Sequence, residues 1–465
     1  MKRLAVAVWL ACAAGTASAA DLIDAWHAAQ QHDPMLAASG ARRDGAAAQR
    51  DQARAVWRPN VVAAGSAGRA NADSSIDGAQ FSAPAFGTSR NVDFQTSIRD
   101  GTATSWNLTL TQPLYSGERI AQSRELAAGA DAGDAAARRM EQEAMLRTAT
   151  RYFDVLVARK SLALSQQQYE LAQRNRQEAQ DRFRIGDAPV IDSDEAEARA
   201  AAIAADLTLA RTRLDLAEAA LRDQTGLQPG PMKVPSPRVD VPLAGSLEDW
   251  LSRAHGNPAL AEREAALAAA RAESARYRAA ASPTLDVVAQ AGGERISGSG
   301  DFGSGRDSAN RQFLGLQLTV PLYTGGMRSA KQMQAASQVV ESRAELEAAQ
   351  LDVAQQVRAA WQGMTASSVR LKSLEAAERA STVRLEATKL GRKVGDRTML
   401  DLLNAENDAS AAQLALFKGR IERIALALQL AAATGELNEA VLASANAELQ
   451  EASEGTGETA HGAFQ

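Results

Sequence analysis

The sequence predicts a mainly α-helical protein with a small β part, and three observations carry that prediction. Residues 118–184 and 326–392 contain no proline and read as two uninterrupted helices. Short runs at 106–111 and 314–320 alternate apolar and polar residues with the period of a strand. The whole plan also occurs twice. Pro113-Leu114-Tyr115-Ser116-Gly117 recurs as Pro321-Leu322-Tyr323-Thr324-Gly325, and Ile185-Gly186-Asp187 with Ile191-Asp192 recurs as Val394-Gly395-Asp396 with Leu400-Asp401. Trp26, Asp33-Pro34 and Pro59 recur as Trp250, Asn257-Pro258 and Pro283. A repeat of this size sets the architecture before any single element does.

In order along the chain, residues 1–20 read as a secretory signal. Lys2 and Arg3 precede the apolar stretch from Leu4 to Ala13, and Ala17-Ser18-Ala19 offers a small-residue cleavage site. Cys12 lies inside that stretch and raises the rival reading of lipoprotein processing, for which Trp9-Leu10-Ala11 is a poor context. Residues 21–226 form the first repeat: a helix stopping before Pro59, strands near 61–75 and 102–112, a long helix, a turn and a return helix. A Gly/Ser/Asn/Asp-rich stretch joins the two strands. Residues 227–245 are a Pro-rich connector. The second repeat occupies 246–435, with strands near 284–297 and 309–320. Residues 436–465 are a C-terminal segment whose end, 451–465, is expected to be a disordered tail.

Each long helix could reach roughly 100 Å. Val353, Val357, Ala360, Met364, Ser367, Leu371 and Leu374 follow a 4-3-4-3 spacing, the period of a left-handed coiled coil. Met145, Ala149, Tyr152 and Leu156 keep the same rhythm in the first repeat until Arg159 breaks it. Hydrophobic residues make up 45% of the chain but aromatics only 4%, which suits close helix packing better than one large globular core.

The formal charge is −5, or about −7 once the signal is removed, so no basic footprint for nucleic acid exists. No later run is long and apolar enough for a transmembrane helix. A membrane strand needs only about ten alternating residues. Four strands per chain cannot close a barrel, and lipid tolerates no open sheet edge. If the strands span a membrane, several chains must combine, and three copies would give twelve strands.

These features together resemble the TolC-like outer-membrane efflux proteins over nearly the whole chain beyond residue 20. The duplicated plan carries the resemblance, with the Asp33-Pro34-Met35-Leu36 and Asn257-Pro258-Ala259-Leu260 segments. So do the strand-to-helix junctions (Pro113, Tyr115, Gly117 and Pro321, Tyr323, Gly325) and the helical-tip turns (Gly186, Asp187 and Gly395, Asp396). The resemblance implies a homotrimer with a twelve-stranded outer-membrane barrel continued by a long helical coiled-coil tunnel in the periplasm. It implies outer-membrane lipid around the barrel and two protein partners, a periplasmic adaptor (membrane fusion protein) and an inner-membrane transporter, either an RND-type pump or an ABC exporter, and no cofactor is expected. Asp401 matches a constriction aspartate, while Asn404 stands where the family has a second acid, which weakens the case for strong cation selectivity. Asp192 on one coil, with Arg392 and Arg397 on the other, match the gate latch, although position 392 is usually aromatic.

A plainer reading stays open at both aspartates. Asp192 sits at a helix start, where a carboxylate caps free N–H groups, and Thr398 with Asp401 resembles a capping box. Trp106, Tyr115 and Tyr323 read either as interfacial aromatics or as junction packing. Pro113 and Pro321 are expected to end strand pairing. Gly298-Ser299-Gly300-Asp301-Phe302-Gly303 fits a dinucleotide fingerprint by letter, but a strand follows it where a helix is required, so it reads as a flexible outer loop. His27, His32, His255 and His461 lack metal-site spacing, and no catalytic constellation emerges. The expected function is a passive export duct, and the alternative is a periplasmic coiled-coil scaffold or adhesin without a pore.

Overall fold

The computed structural model describes residues 21–450 except residues 86, 229, 237, 238, 240–242 and 302; the expected signal segment and tail lie outside the described residues. In chain order the elements are α1 (Leu22–His32), α2 (Pro34–Ala55), β1 (Asn60–Ala83), β2 (Gly87–Ser116), α3 (Gly117–Arg184), α4 (Val190–Thr225), β3 (Val234–Pro235) and α5 (Leu247–Arg253). After a 3-10 turn come α6 (Pro258–Ala279), β4 (Thr284–Gly300), β5 (Gly303–Thr319), α7 (Met327–Lys393), α8 (Met399–Thr434), α9 (Glu439–Ala447) and β6 (Leu449–Gln450). They form two compact units. One holds the sheet with residues 45–132 and 264–344, and the other holds the remaining described residues.

In the first unit the strands pair antiparallel in the order β1-β2-β4-β5. Register follows the alternation read from sequence. Val61, Leu110, Ala289 and Leu314 share one cross-strand row, and Ala63, Leu108, Ala291 and Gln312 the next. The third row is Gly65, Trp106, Gly293 and Asn310. Because side chains alternate, all three rows lie on one face. Asn107, Thr109, Gln290, Gly292 and Gln317 lie on the other. Leu314, Leu316 and Leu318 are exposed, whereas Val288 on the opposite face is buried.

The strands run further than the alternation suggests. The polar stretch between the first two is not a loop: Ser75 pairs with Gln95 and Phe81 with Ser89, with register shifts between Ala70 and Ala72 and around Ala79. Backbone pairing needs no apolar pattern, and polar cross-strand contacts add to it. Ser82 and Thr88 hydroxyls lie 3.1 Å apart, and the Phe81 and Phe94 rings 5.7 Å apart. The supposed outer loop at 298–303 is likewise a paired hairpin, with Gly298 opposite Gly305 and Gly300 opposite Gly303. Pro113 does not end its strand. Pairing to β1 stops at Thr111, but β2 stays paired to β4 through Ser116, and a register shift lies between Pro113 and Tyr115. Pro321 does lie beyond β5.

In the second unit the expected heptad is the buried seam of α7. Val353, Val357, Ala360, Met364 and Ser367 are all buried. Gly419 on α8 makes room for the next positions, since a Cβ there would meet Leu374 Cδ1 at 2.8 Å and Leu371 Cδ2 at 3.2 Å. The break at Arg159 also has a cause. Its Nη2 donates to Glu218 at 2.7 Å and its Nη1 to the Gly230 carbonyl at 2.6 Å, so the seam there is held by a fork of hydrogen bonds.

The main core of this unit joins the two ends of the described chain. Leu22 and Trp26 of α1 pack with Tyr152, Leu156, Leu428, Leu442 and Leu449. The connector is not wholly irregular, because β3 pairs with β6. Asp21 Oδ2 accepts from Asn446 at 3.0 Å and from Lys233 Nζ at 3.0 Å. The repeated Asp33 and Asn257 do parallel work with different partners. Asp33 Oδ1 accepts from Met35 N and Asn257 Oδ1 from Ala259 N, each at 2.8 Å. Beyond that, Asp33 Oδ2 meets Arg147 Nη2 at 2.6 Å, while Asn257 Nδ2 donates to the Ala433 carbonyl at 2.8 Å. A cation demands the carboxylate, and a carbonyl demands the amide.

Truncating Met364, which is almost fully buried in the seam, leaves a cavity. Met364→Ala is expected to cost about 2–5 kcal/mol, read as a lower denaturation midpoint in circular dichroism at 222 nm.

Candidate functional site

Two places in the molecule carry chemistry that could serve a function: the outward face of the sheet and the turns at the ends of the long helices.

On the sheet, Trp106 and Tyr115 share the apolar face, because Tyr115 pairs with Leu285 and Trp106 with Gly293. Nine residues of strand separate them, about 30 Å of chain, which shortens to roughly 23 Å at a typical barrel tilt. That matches the apolar band of an outer-membrane barrel. Trp106 lies well inside a long strand, not at its end. Its indole lies over Gly293, where a Cβ would meet Trp106 Nε1 at 2.6 Å. Tyr115 is half exposed in the strand, while Tyr323 lies past β5 and is 88% exposed. The two junctions thus differ. Gly117 opens α3 directly, and a Cβ there would touch Ala279 and Ser282 at 3.3 Å, whereas Gly325 and Gly326 are left-handed before α7 begins.

At the helical tips, α3 and α7 end alike. Gly186 and Gly395 adopt φ near +80°, a conformation that favours glycine. Asp187 N donates to the Arg182 carbonyl at 2.9 Å and Asp396 N to the Gly391 carbonyl at 2.8 Å, which closes both helices with the same six-residue cap. Asp187 also accepts from Arg182 Nε at 2.8 Å, and this contact raises the pKa of Arg182.

The residues that the sequence matched to a gate separate into two groups. Asp401 is engaged in a full capping box: its Oδ2 accepts from Thr398 N at 2.9 Å and from Thr398 Oγ1 at 2.8 Å, and Asp401 N donates to Thr398 Oγ1 at 3.1 Å. Those hydrogen bonds from Thr398, backbone first, hold the Asp401 carboxyl below its ordinary pKa. Asn404 is exposed one turn on. Arg392 pairs with Glu178 of α3, not with Asp192. Asp192 is not a cap in the hydrogen-bonding sense, because the capping position is Pro189, which offers no side-chain acceptor. Among the described residues, Asp192 and Arg397 make no ion pair within the chain. Arg397 folds back over Gly391, where a Cβ would meet its Cγ at 2.7 Å. A cavity of about 310 Å³ between the two hairpins brings Asp192, Glu178, Arg182, Thr398 and Leu403 together.

One residue of the tip went unread in the sequence. Glu406 is buried on α8 with Leu402, Ala409 and Leu416, in a 4-3-7 spacing that is the seam of that helix. The same heptad search applied to α8 would have found it. Burial raises its pKa, against the opposing pull of Lys389, Arg392 and Arg174. Among the described residues no cluster could hold a metal ion, and no helix is long and apolar enough to cross a membrane.

The chain matches the outer membrane efflux protein family over residues 25–227 and 251–436, and it belongs to that family. The protein is an outer-membrane exit channel with a helical periplasmic extension. Its similarity to particular relatives is spread along the chain. It is 29% identical to the outer membrane protein TolC of Escherichia coli strain K12 over 382 residues, which cover 78% of this chain and 76% of TolC. It is 28% identical to the alkaline protease secretion protein AprF of Pseudomonas aeruginosa, covering 92% of this chain and 86% of AprF. Among solved structures, the CmeC outer membrane channel of Campylobacter jejuni superposes with a TM-score of 0.73 at 16% identity, covering 92% of this chain and 90% of that one. VceC of Vibrio cholerae superposes with a TM-score of 0.70 at 18% identity, covering 89% and 96%. Nothing in these likenesses favours a scaffold without a pore.

A carboxyl whose folded pKa is raised contributes stability below its unfolded pKa and loses it as pH rises through the folded value. Glu406→Gln is therefore expected to raise the melting temperature at pH 7 and to flatten its fall above pH 4.5, the ordinary value for this group, in a pH series of thermal melts.

Proposed function

We propose that three copies of the chain close their sheets into one twelve-stranded barrel and bundle their helices into a tunnel. This assembly is the passive exit duct of a tripartite export machine. The observation that carries the proposal is the register. It places Val61, Leu108, Leu110, Leu314, Leu316 and Leu318 on one face, within the height of a bilayer, and leaves β1 and β5 as unpaired edges. The two repeats, 21–226 and 246–435, each supply two strands and one helical hairpin, with 227–245 as the connector. A periplasmic adaptor and an inner-membrane transporter, an RND-type pump or an ABC exporter, complete the machine and supply the energy. Relatives named for protease secretion and for efflux support both kinds of cargo.

The gate in this reading lies at the helical tips. Asp192 and Arg397 have no ion-pair partner in their own chain among the described residues, which leaves them free to meet across a subunit boundary, while Arg392 stays with Glu178. Exposed bridges contribute only about 0–1 kcal/mol each, so the latch relies on threefold repetition. A docking partner opens it by binding the open arrangement more tightly than the closed one. Asp401, beside the exposed Asn404, forms a ring of three carboxylates at the constriction.

Single-channel recording of the purified full-length protein in a planar bilayer tests the duct. A small cation-favouring conductance, one unit per three chains, is expected, and folded trimers that never conduct, even with the latch removed, would overturn it. The double variant Asp192→Ala/Arg397→Ala is expected to spend more time open and to admit more antibiotic into cells. Unchanged openings and uptake would move the latch elsewhere. Asp401→Asn, which keeps a hydrogen-bonding group for Thr398, is expected to weaken block by multivalent cations; block as strong as in the parent would remove Asp401 from the constriction.

A further inference from the structure

Beyond Trp106, towards the hairpin ends, the outward face changes from apolar to basic. The next row is Ala67, Thr104, Arg295 and Ser308, and the one after it Arg69, Thr102, Ser297 and Arg306. Alternation places both rows on the same face as Trp106, about 7 and 13 Å further along the strands. Arg295 and Arg306 are diagonal neighbours on adjacent strands, a separation of about 7–8 Å that long side chains easily bridge. The hydroxyls of Thr104, Ser308, Thr102 and Ser297 flank them in the same two rows.

Two other arginines of this region, Arg69 and Arg99, are held by acids of their own chain. Arg69 pairs with Asp100, and Arg99 with Asp73 at 3.2 Å and with Asp301 at 3.4 Å. Among the described residues Arg295 and Arg306 have no such acid. Glu294 and Asp307, their nearest acidic neighbours in sequence, alternate onto the opposite face. Two like charges side by side disfavour each other unless an anion sits between them.

We propose that Arg295 and Arg306, with the four hydroxyls around them, bind the phosphate groups of the glycolipid in the outer leaflet of the outer membrane. The inference rests on the reading of the apolar face as lipid-facing. The patch continues that face without a break, at the depth where headgroups begin above an interfacial tryptophan. Charge selects the ligand: guanidinium groups take phosphate bidentately, and serine and threonine hydroxyls donate to the remaining oxygens. The helices lie on the periplasmic side, so the hairpin ends face outward, and the lipid that reaches this level is the phosphorylated one.

The test uses full-length protein whose conductance has already been recorded, stripped of lipid in detergent. It is titrated with bisphosphorylated lipid A or with the same lipid freed of phosphate, and retention is read by native mass spectrometry. The parent is expected to prefer the bisphosphorylated form by about tenfold or more, the scale of hydrogen bonds to charged groups. Arg295→Gln/Arg306→Gln is expected to bind both forms alike, and Arg295→Lys/Arg306→Lys to keep part of the preference, which separates lost charge from lost fold. Equal retention of both lipids by the parent, or an intact preference in the glutamine variant, would overturn the site. So would inorganic phosphate competing as well as the lipid does, which would assign the patch to a free anion. Failure in a protein that conducts would remove the lipid site and leave the duct standing.

Discussion

The hydrogen bonds of two strand edges govern the rest of the molecule. The four-stranded sheet pairs in the order β1-β2-β4-β5, so β1 and β5 each present an open edge. Water would satisfy those groups, and hydrocarbon cannot. The same strands carry exposed leucines, Leu108, Leu314, Leu316 and Leu318, on one face, which disfavours leaving them in water. A single chain is therefore not a stable species in a bilayer, and whatever completes the sheet must offer strands of matching register. The duplicated sequence follows the same logic, since each repeat contributes one hairpin, and neither hairpin alone has enough strands to hold a curved surface.

The helices obey a different balance. Along α7 the seam runs through Val353, Val357, Ala360 and Met364, all buried, and takes in the polar Ser367 and, nearer the tip, Thr388. On α8 the seam near the tip includes the buried Glu406 between Leu402 and Ala409. Apolar burial therefore falls where the turns are, and ion pairs such as Arg392 with Glu178 and Arg182 with Asp187 take its place. Such pairs hold geometry better than they hold stability.

Much of this was legible in the sequence because it is periodic. The alternation at Trp106, Leu108 and Leu110 marked one face of the sheet, the 4-3 spacing from Val353 to Ser367 marked the seam, and Thr398 with Asp401 marked the capping box. The length of the strands was not legible. Beyond the bilayer both faces meet water, so residues such as Ser75, Ser82 and Thr88 carry no apolar signal although their backbones are paired. Partners across helices were also hidden, because no spacing rule links Arg392 to Glu178. Asp192 resembled a cap by position, and only the backbone shows Pro189 in that place.

The tie between α1 and the last elements also shapes how the chain comes to be. Trp26 is fully buried against residues that include Leu442 and Leu449, and Asp21 is bonded to Asn446. Part of the core that the first helix joins, Leu442 and Leu449, thus follows only near the end of the described chain. Contacts so distant in sequence form slowly, because the loop they close must be ordered first. Shortening the chain from its C-terminus would therefore remove part of the surface that buries its first helix.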